Sequence, residues 1–135
     1  MSDLARIEIA VVGAHLSGMA LNPDLLREGA ELLRVVDTQP LYMLYALAGG
    51  PPRRPGLLRV GAGGFAIATE VWGMPAAGFG RFVASIPAPL CIGTLLLADG
   101  SQPKGFLVEP QGLHGAEDIT GFGGWRAYLA SLTLA

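Results

Sequence analysis

The stretch that most constrains this chain runs from Ile7 to Asn22, IEIAVVGAHLSGMALN. Arg6 and Glu8 alternate with Ile7 and Ile9, and an apolar run then continues to Val12. That pattern is a strand that begins half exposed and ends buried. The run stops at Gly13, and a short loop presenting His15 closes at Gly18. A strand that delivers a polar loop between two glycines is a common way to hold a small ligand. Glycine permits close backbone approach and positive φ, so bare N–H groups can face an anion. His15 is the only titrating side chain in the loop, and an unperturbed imidazole titrates near neutrality. Spacing alone leaves open a plain turn whose histidine only satisfies backbone groups.

Downstream, Leu21-Asn22-Pro23 reads as a helix start. Asn22 suits the cap, Pro23 the first turn, and Leu21 can staple onto Leu26. The helix is predicted to continue through Leu32-Leu33, weakened by Gly29, and to end before Thr38-Gln39-Pro40. Leu41 to Leu47 reads as a strand carrying Tyr42 and Tyr45. GGPPRRPG, with Arg53 and Arg54, reads as an extended surface loop. Leu57 to Val60 resumes a strand, and Ala62-Gly63-Gly64 is a turn. Phe65 to Trp72 alternates as a strand that puts Glu70 and Trp72 on one face. Pro75 to Ile86 is predicted as a short helix with Phe79, Phe82 and Val83 inward, stopped by Pro87 and Pro89. Leu90 to Leu97 and Gln102 to Glu109 flank Asp99-Gly100, the strongest hairpin signal in the chain. Lys104, Phe106 and Val108 share a face on its second arm. A loop with His114 follows, and a last helix around Thr120 to Leu132 spaces Trp125, Tyr128, Leu129 and Leu132 helically.

Strands outnumber helices, and short turns join several of them. This predicts an α+β fold: a small curled mixed β-sheet or partial barrel with two or three short helices. A nucleotide fold is not expected, because neither a GxxxxGK[ST] loop nor a GxGxxG after a strand is present. At 135 residues the chain reads as one domain over residues 1–135. With 51% hydrophobic and 15% charged residues it should be compact. No apolar run approaches the ~20 residues of a membrane span. The start, MSDLARIEI, lacks the apolar core of a signal peptide, which points to the cytoplasm. One cysteine, Cys91, allows no internal disulfide, and one Cys with two distant His does not suit zinc. A net charge of −2 with scattered basic residues does not suggest nucleic acid. No cofactor is expected.

Five segments together resemble one family: VVGAHLSGMALN (Val11–Asn22), LYALAGGPPRRPGLLRV (Leu44–Val60), AAGFGRFVASIPAPLCIGTLLLADG (Ala76–Gly100), KGFLVEP (Lys104–Pro110) and DITGFGGWRAYL (Asp118–Leu129). They are similar, in order, to the C-terminal domain of allophanate hydrolase, which also occurs in small free-standing proteins. The resemblance implies a fold like that of the γ-glutamyl cyclotransferases. It also implies a metal-independent activity, the decarboxylation of N-carboxycarbamate made by an amidase domain from allophanate. The histidine of GAHLSG, here His15, is the implied catalytic residue. Two positions depart from the family pattern: Ala20 stands where Pro is usual, and Pro103 precedes Lys104 where an aliphatic residue is expected. The start at Met1-Ser2-Asp3 leaves no room for the amidase, so a free-standing relative or an excised piece is expected.

Losing CO2 from an N-carboxylate requires the nitrogen to be protonated, or its developing negative charge to be stabilised, as the C–N bond breaks, and an imidazole near that nitrogen suits the role of general acid. A dianionic substrate also needs donors. Candidates are the backbone around Gly13, Ala14 and Leu16, the Ser17 hydroxyl, the Tyr45 phenol, Arg53 or Arg54 as a bidentate carboxylate contact, and Lys104. Tyr42, Trp72, Phe79, Phe82 and Trp125 read as core or pocket wall, His114 as a surface residue and Cys91 as buried and inert. The cyclotransferases use a carboxylate after the short helix, yet no Asp or Glu lies between Glu70 and Asp99. Expected partners are a small anionic carboxylate and a separate allophanate amidase. A non-catalytic anion-binding or amidase-docking module is the alternative, and a homodimer is left open.

Overall fold

The structure, a computed structural model, describes residues 6–133. The apolar run that opens the chain is β1 (Arg6–Val11), and Ile9, Ala10 and Val11 are fully buried. β1 is the central strand of a five-stranded sheet, which is why its second half carries no polar residue. On one side it pairs antiparallel with β5 (Ala68–Pro75), and on the other parallel with β7 (Lys104–Val108). β2 (Glu31–Asp37) flanks β5, and β6 (Leu90–Thr94) flanks β7, giving the order β2-β5-β1-β7-β6. A second sheet has β3 (Tyr42–Ala46) between β4 (Pro55–Arg59) and the short β8 (Glu117–Asp118). Leu44 and Leu57 from the second sheet and Val71 and Met74 from the first belong to one core cluster. The helices are α1 (Asn22–Arg27), α2 (Ala76–Ala84) and α3 (Trp125–Thr133). A mixed five-stranded sheet and an antiparallel three-stranded sheet, with three short helices among the described residues, make the α+β architecture expected. Among the described residues no helix is long and apolar enough to cross a membrane.

The hairpin around Asp99-Gly100 forms as expected, with Leu90 opposite Val108 and Ile92 opposite Phe106. The helix after Pro75 and the last helix are also present, the latter preceded by a 3₁₀ turn at Thr120–Phe122. Several expectations need correction. The helix predicted through Leu32-Leu33 ends at Arg27. Gly29 takes φ +78°, which reverses the chain after α1, and Glu31–Asp37 then forms an edge strand. The two leucines are each 43% exposed, so they never supplied an inward helical face. Second, Asn22 does not cap α1. Leu21 takes that place, and the Asn22 side chain donates to the carbonyl of His15 at 2.9 Å. Third, GGPPRRPG is not all surface loop. Arg54 is half-buried, and β4 begins at Pro55 rather than Leu57. The strand expected from Phe65 lies instead at Ala68–Pro75, and Phe65 contributes only an isolated bridge to Tyr42.

Candidate functional site

The site forms where β1 ends. Gly13 is needed there for space: a Cβ on it would lie 2.2 Å from Cδ and 2.3 Å from Cγ of Pro55. Only glycine lets the start of β4 come this close, and that approach carries Arg54 to the loop. The loop then turns tightly. Leu16 N–H donates to Gly13 O at 2.9 Å, Leu21 N–H to Ala14 O at 2.8 Å, and Asn22 holds the His15 carbonyl.

The imidazole of His15 sits between two phenylalanines. It stacks on Phe106 of β7 with centroids 5.0 Å apart and planes at 20°, and it meets Phe82 of α2 edge-on, also at 5.0 Å. The two phenylalanines meet edge-on with planes at 83° and centroids 5.9 Å apart. Two small cavities, of about 10 and 40 Å³, meet at His15, Arg54, Leu90 and Phe106. Gly13, Ala14 and Pro55 line the first, and Asp24 and Ser85 the second. Arg54 and Leu90 also border a wider, more polar cavity of about 320 Å³ beside Gly49 to Pro52.

Burial pushes the pKa of His15 down to about 4. Asp24 opposes this, and the Arg54 charge adds to it. The ring is therefore neutral at pH 7. Arg54 is unusual among the arginines. Its Nε is buried and meets no hydrogen-bond acceptor among the described residues. Arg6, Arg34, Arg81 and Arg126, by contrast, each reach a carboxylate. A half-buried guanidinium whose Nε has no acceptor, beside a neutral imidazole and an aromatic wall, can receive a carboxylate.

The other expected site residues lie elsewhere. Arg53 donates to the Tyr128 hydroxyl at 2.9 Å and lies over that ring at 5.8 Å. The Tyr45 hydroxyl faces Met43 Sδ at 3.9 Å, and Lys104 Nζ donates to Thr94 Oγ1 at 3.2 Å. Leu16 lines a different cavity, with Val35, Phe122 and Arg126. Ser17 turns away from His15 and gives both its N–H and its hydroxyl to Glu70, each at 2.8 Å. Of the expected residues, Gly13, Ala14, His15 and Arg54 therefore share the small cavities. Sequence reasoning missed Asp24, Pro55, Leu90 and Phe106 as lining. The one available signal was that Phe106 alternates with Lys104 on a hairpin arm.

Glu70 is buried and shares its face with Trp72, as expected. Burial raises its pKa, but hydrogen bonds from Ser17, Arg126 and Trp72 outweigh this and hold it below the usual carboxylate range. His114 is exposed. Burial, then Glu109, raises the pKa of the half-buried Cys91 thiol, which disfavours the thiolate. Among the described residues no group of three His, Cys, Asp or Glu could hold a metal ion.

Comparison with known proteins places this geometry in a family. The chain is 42% identical over 130 residues to a urea amidolyase of Saccharomyces cerevisiae, covering 93% of this chain but only 7% of that protein. It superposes on Kluyveromyces lactis allophanate hydrolase with a TM-score of 0.92 at 41% identity, over 96% of this chain and 22% of that one. It also matches c4763, a uropathogenic E. coli-specific protein, with a TM-score of 0.87 at 35% identity. That match covers 94% of this chain and 98% of the other, so the fold makes up nearly all of that solved chain. A γ-glutamyl cyclotransferase matches at a TM-score of 0.57 and 12% identity, which shows the fold alone. Residues 7–130 match the family model described as the allophanate hydrolase C-terminal domain, and the chain belongs to that family.

Proposed function

We propose that this domain decarboxylates N-carboxycarbamate, the dianion left when an amidase deaminates allophanate, with His15 as the acid. The observation that carries this reading is the buried Arg54 Nε without an acceptor, in a cavity shared with His15. One carboxylate of the substrate pairs with Arg54. That contact neutralises the charge that helps keep His15 unprotonated, and the dianion adds negative charge beside the ring. Both effects raise the imidazole pKa, so His15 takes a proton from solvent as the substrate binds. The C–N bond of the second carboxylate then breaks. Its electron pair stays on nitrogen, the nitrogen takes the proton from His15, and CO2 and carbamate leave. The apolar walls of Phe82 and Phe106 suit a step in which charge is lost as neutral CO2 forms.

Family membership supports the substrate class, since relatives include an allophanate hydrolase and a urea amidolyase. Cyclotransferase chemistry has less support. Glu70 lines another cavity, and both its oxygens are engaged. A second reading, a module that docks on an amidase, draws on the exposed Leu32, Leu33, Val35 and Phe122 around the edge strand β2.

The test is CO2 release from N-carboxycarbamate made in place by an allophanate amidase lacking its own C-terminal domain. The expected result is a rate above the spontaneous background that falls at least about tenfold in His15→Ala. A rate equal to background would leave only the docking reading.

A further inference from the structure

Glu70 is a buried titratable group that the reaction proposed above does not use, and its surroundings say what it does. It lies on β5 opposite Val11, the last residue of β1, so it stands beside the point where the His15 loop departs. Its side chain is 7% exposed. Oε1 accepts from the Ser17 N–H at 2.8 Å and from Trp72 Nε1 at 3.1 Å. Oε2 accepts from the Ser17 hydroxyl at 2.8 Å and from Arg126 Nη2 at 3.0 Å. The same Arg126 nitrogen donates to the Ser17 carbonyl at 2.7 Å and to its hydroxyl at 3.1 Å. Every polar group of Ser17 is thus held by two side chains from β5 and α3. Between Ser17 and His15 lies only Leu16, which is 4% exposed, so a shift of Ser17 reaches His15 across a single buried residue.

We infer that Glu70 is a positioning residue for His15: with Arg126 it clamps Ser17 and so fixes the imidazole between Phe82 and Phe106. The ion pair is weak evidence for stability, because the Arg126 side chain is 47% exposed and an apolar pair of similar volume often serves as well. What an apolar pair cannot do is orient a backbone N–H and a hydroxyl at once, and a bidentate carboxylate does. The inference rests on the reading of His15 as the acting group. It also reassigns Ser17, whose hydroxyl orients the loop and does not contact the substrate.

The test uses Glu70→Gln in the intact chain. The amide keeps one acceptor for Ser17 N–H and Trp72 but sets its NH2 against Arg126, so the clamp is broken without a cavity. The first readout is the His15 Hε1 resonance, which feels the ring currents of Phe82 and Phe106 and needs no turnover. It is expected to move toward the position of a free imidazole. The second readout is CO2 release, where kcat is expected to fall about tenfold to a hundredfold while malonate affinity changes less than about twofold. Should Glu70→Gln fail to fold, Ser17→Ala removes only the hydroxyl link and is expected to move the same resonance by a smaller amount. A folded Glu70→Gln with wild-type His15 resonance and wild-type kcat, whatever its thermal stability, would overturn the inference. Absence of CO2 release in the wild type would count against the decarboxylase reading alone, because the resonance still reports the clamp.

Discussion

The imidazole of His15 stacks on Phe106 at 5.0 Å and 20°, and this contact is part of the burial that lowers the pKa of the ring. Together with Phe82 it strips water from the ring, and burial is the largest cause of the fall in pKa to about 4. In the unfolded chain the same group titrates near 6.5. The native pKa is the lower one, so the folded state holds His15 neutral at full stability above about pH 6.5 and loses that stability as the pH falls toward 4. The expected loss across this window is on the order of 3 kcal/mol. Urea unfolding from pH 7 to 4 checks it: the slope should flatten in His15→Gln, which has no such group to charge.

Phe106→Ala should admit water to the ring and move the His15 titration midpoint back up toward 6.5. A pH titration of the His15 Hε1 resonance reads this directly.

Arg54 and Arg53 are neighbours in sequence with opposite expected phenotypes. Arg54→Met removes the guanidinium whose Nε lacks an acceptor, so folding should be unaffected or stabilised by up to about 1 kcal/mol. Malonate, a dicarboxylate of similar shape to the proposed substrate, should bind at least about tenfold more weakly. Arg53→Ala should cost about 0.5–1 kcal/mol through the lost contact with Tyr128 and leave malonate affinity within about twofold. Calorimetry with malonate and urea unfolding of the two variants check the pair.

Gly13→Ala should be one of the more damaging small substitutions. The added methyl meets Pro55 ring atoms within 2.3 Å, and these belong to the rigid start of β4. Relieving the clash costs about 1–3 kcal/mol and moves Arg54 away from His15. A lowered urea midpoint together with weakened malonate binding is the expected result.

Much of this was legible in the sequence, and the gaps have physical causes. The buried run of β1, the Asp99-Gly100 hairpin and the glycine-framed His15 are local patterns, and all three appear in the structure. The extension of α1 into β2 was misread because Leu32-Leu33 continue the spacing of Leu25-Leu26. Gly29 at φ +78° breaks that continuity, and β2, an edge strand with both leucines exposed, lacks the alternation that marks a half-buried strand. The choice between Arg53 and Arg54 could not be read at all. Successive residues of an extended segment point to opposite sides, and only the packing of Pro55 on Gly13 decides which side faces His15. Phe82 and Phe106 come from elements far apart in sequence, so their meeting at His15 has no local signal. The Glu70–Ser17 clamp is hidden for the same reason, since β1 and β5 pair across most of the first half of the chain.

The most direct test is whether a dianion puts a proton on His15. Malonate binding is measured calorimetrically at about pH 6.5 in buffers of different ionisation heat. Uptake of roughly one proton per malonate bound, lost in His15→Gln, is the expected result. Binding of malonate with no proton uptake, or the same uptake in His15→Gln, would contradict it.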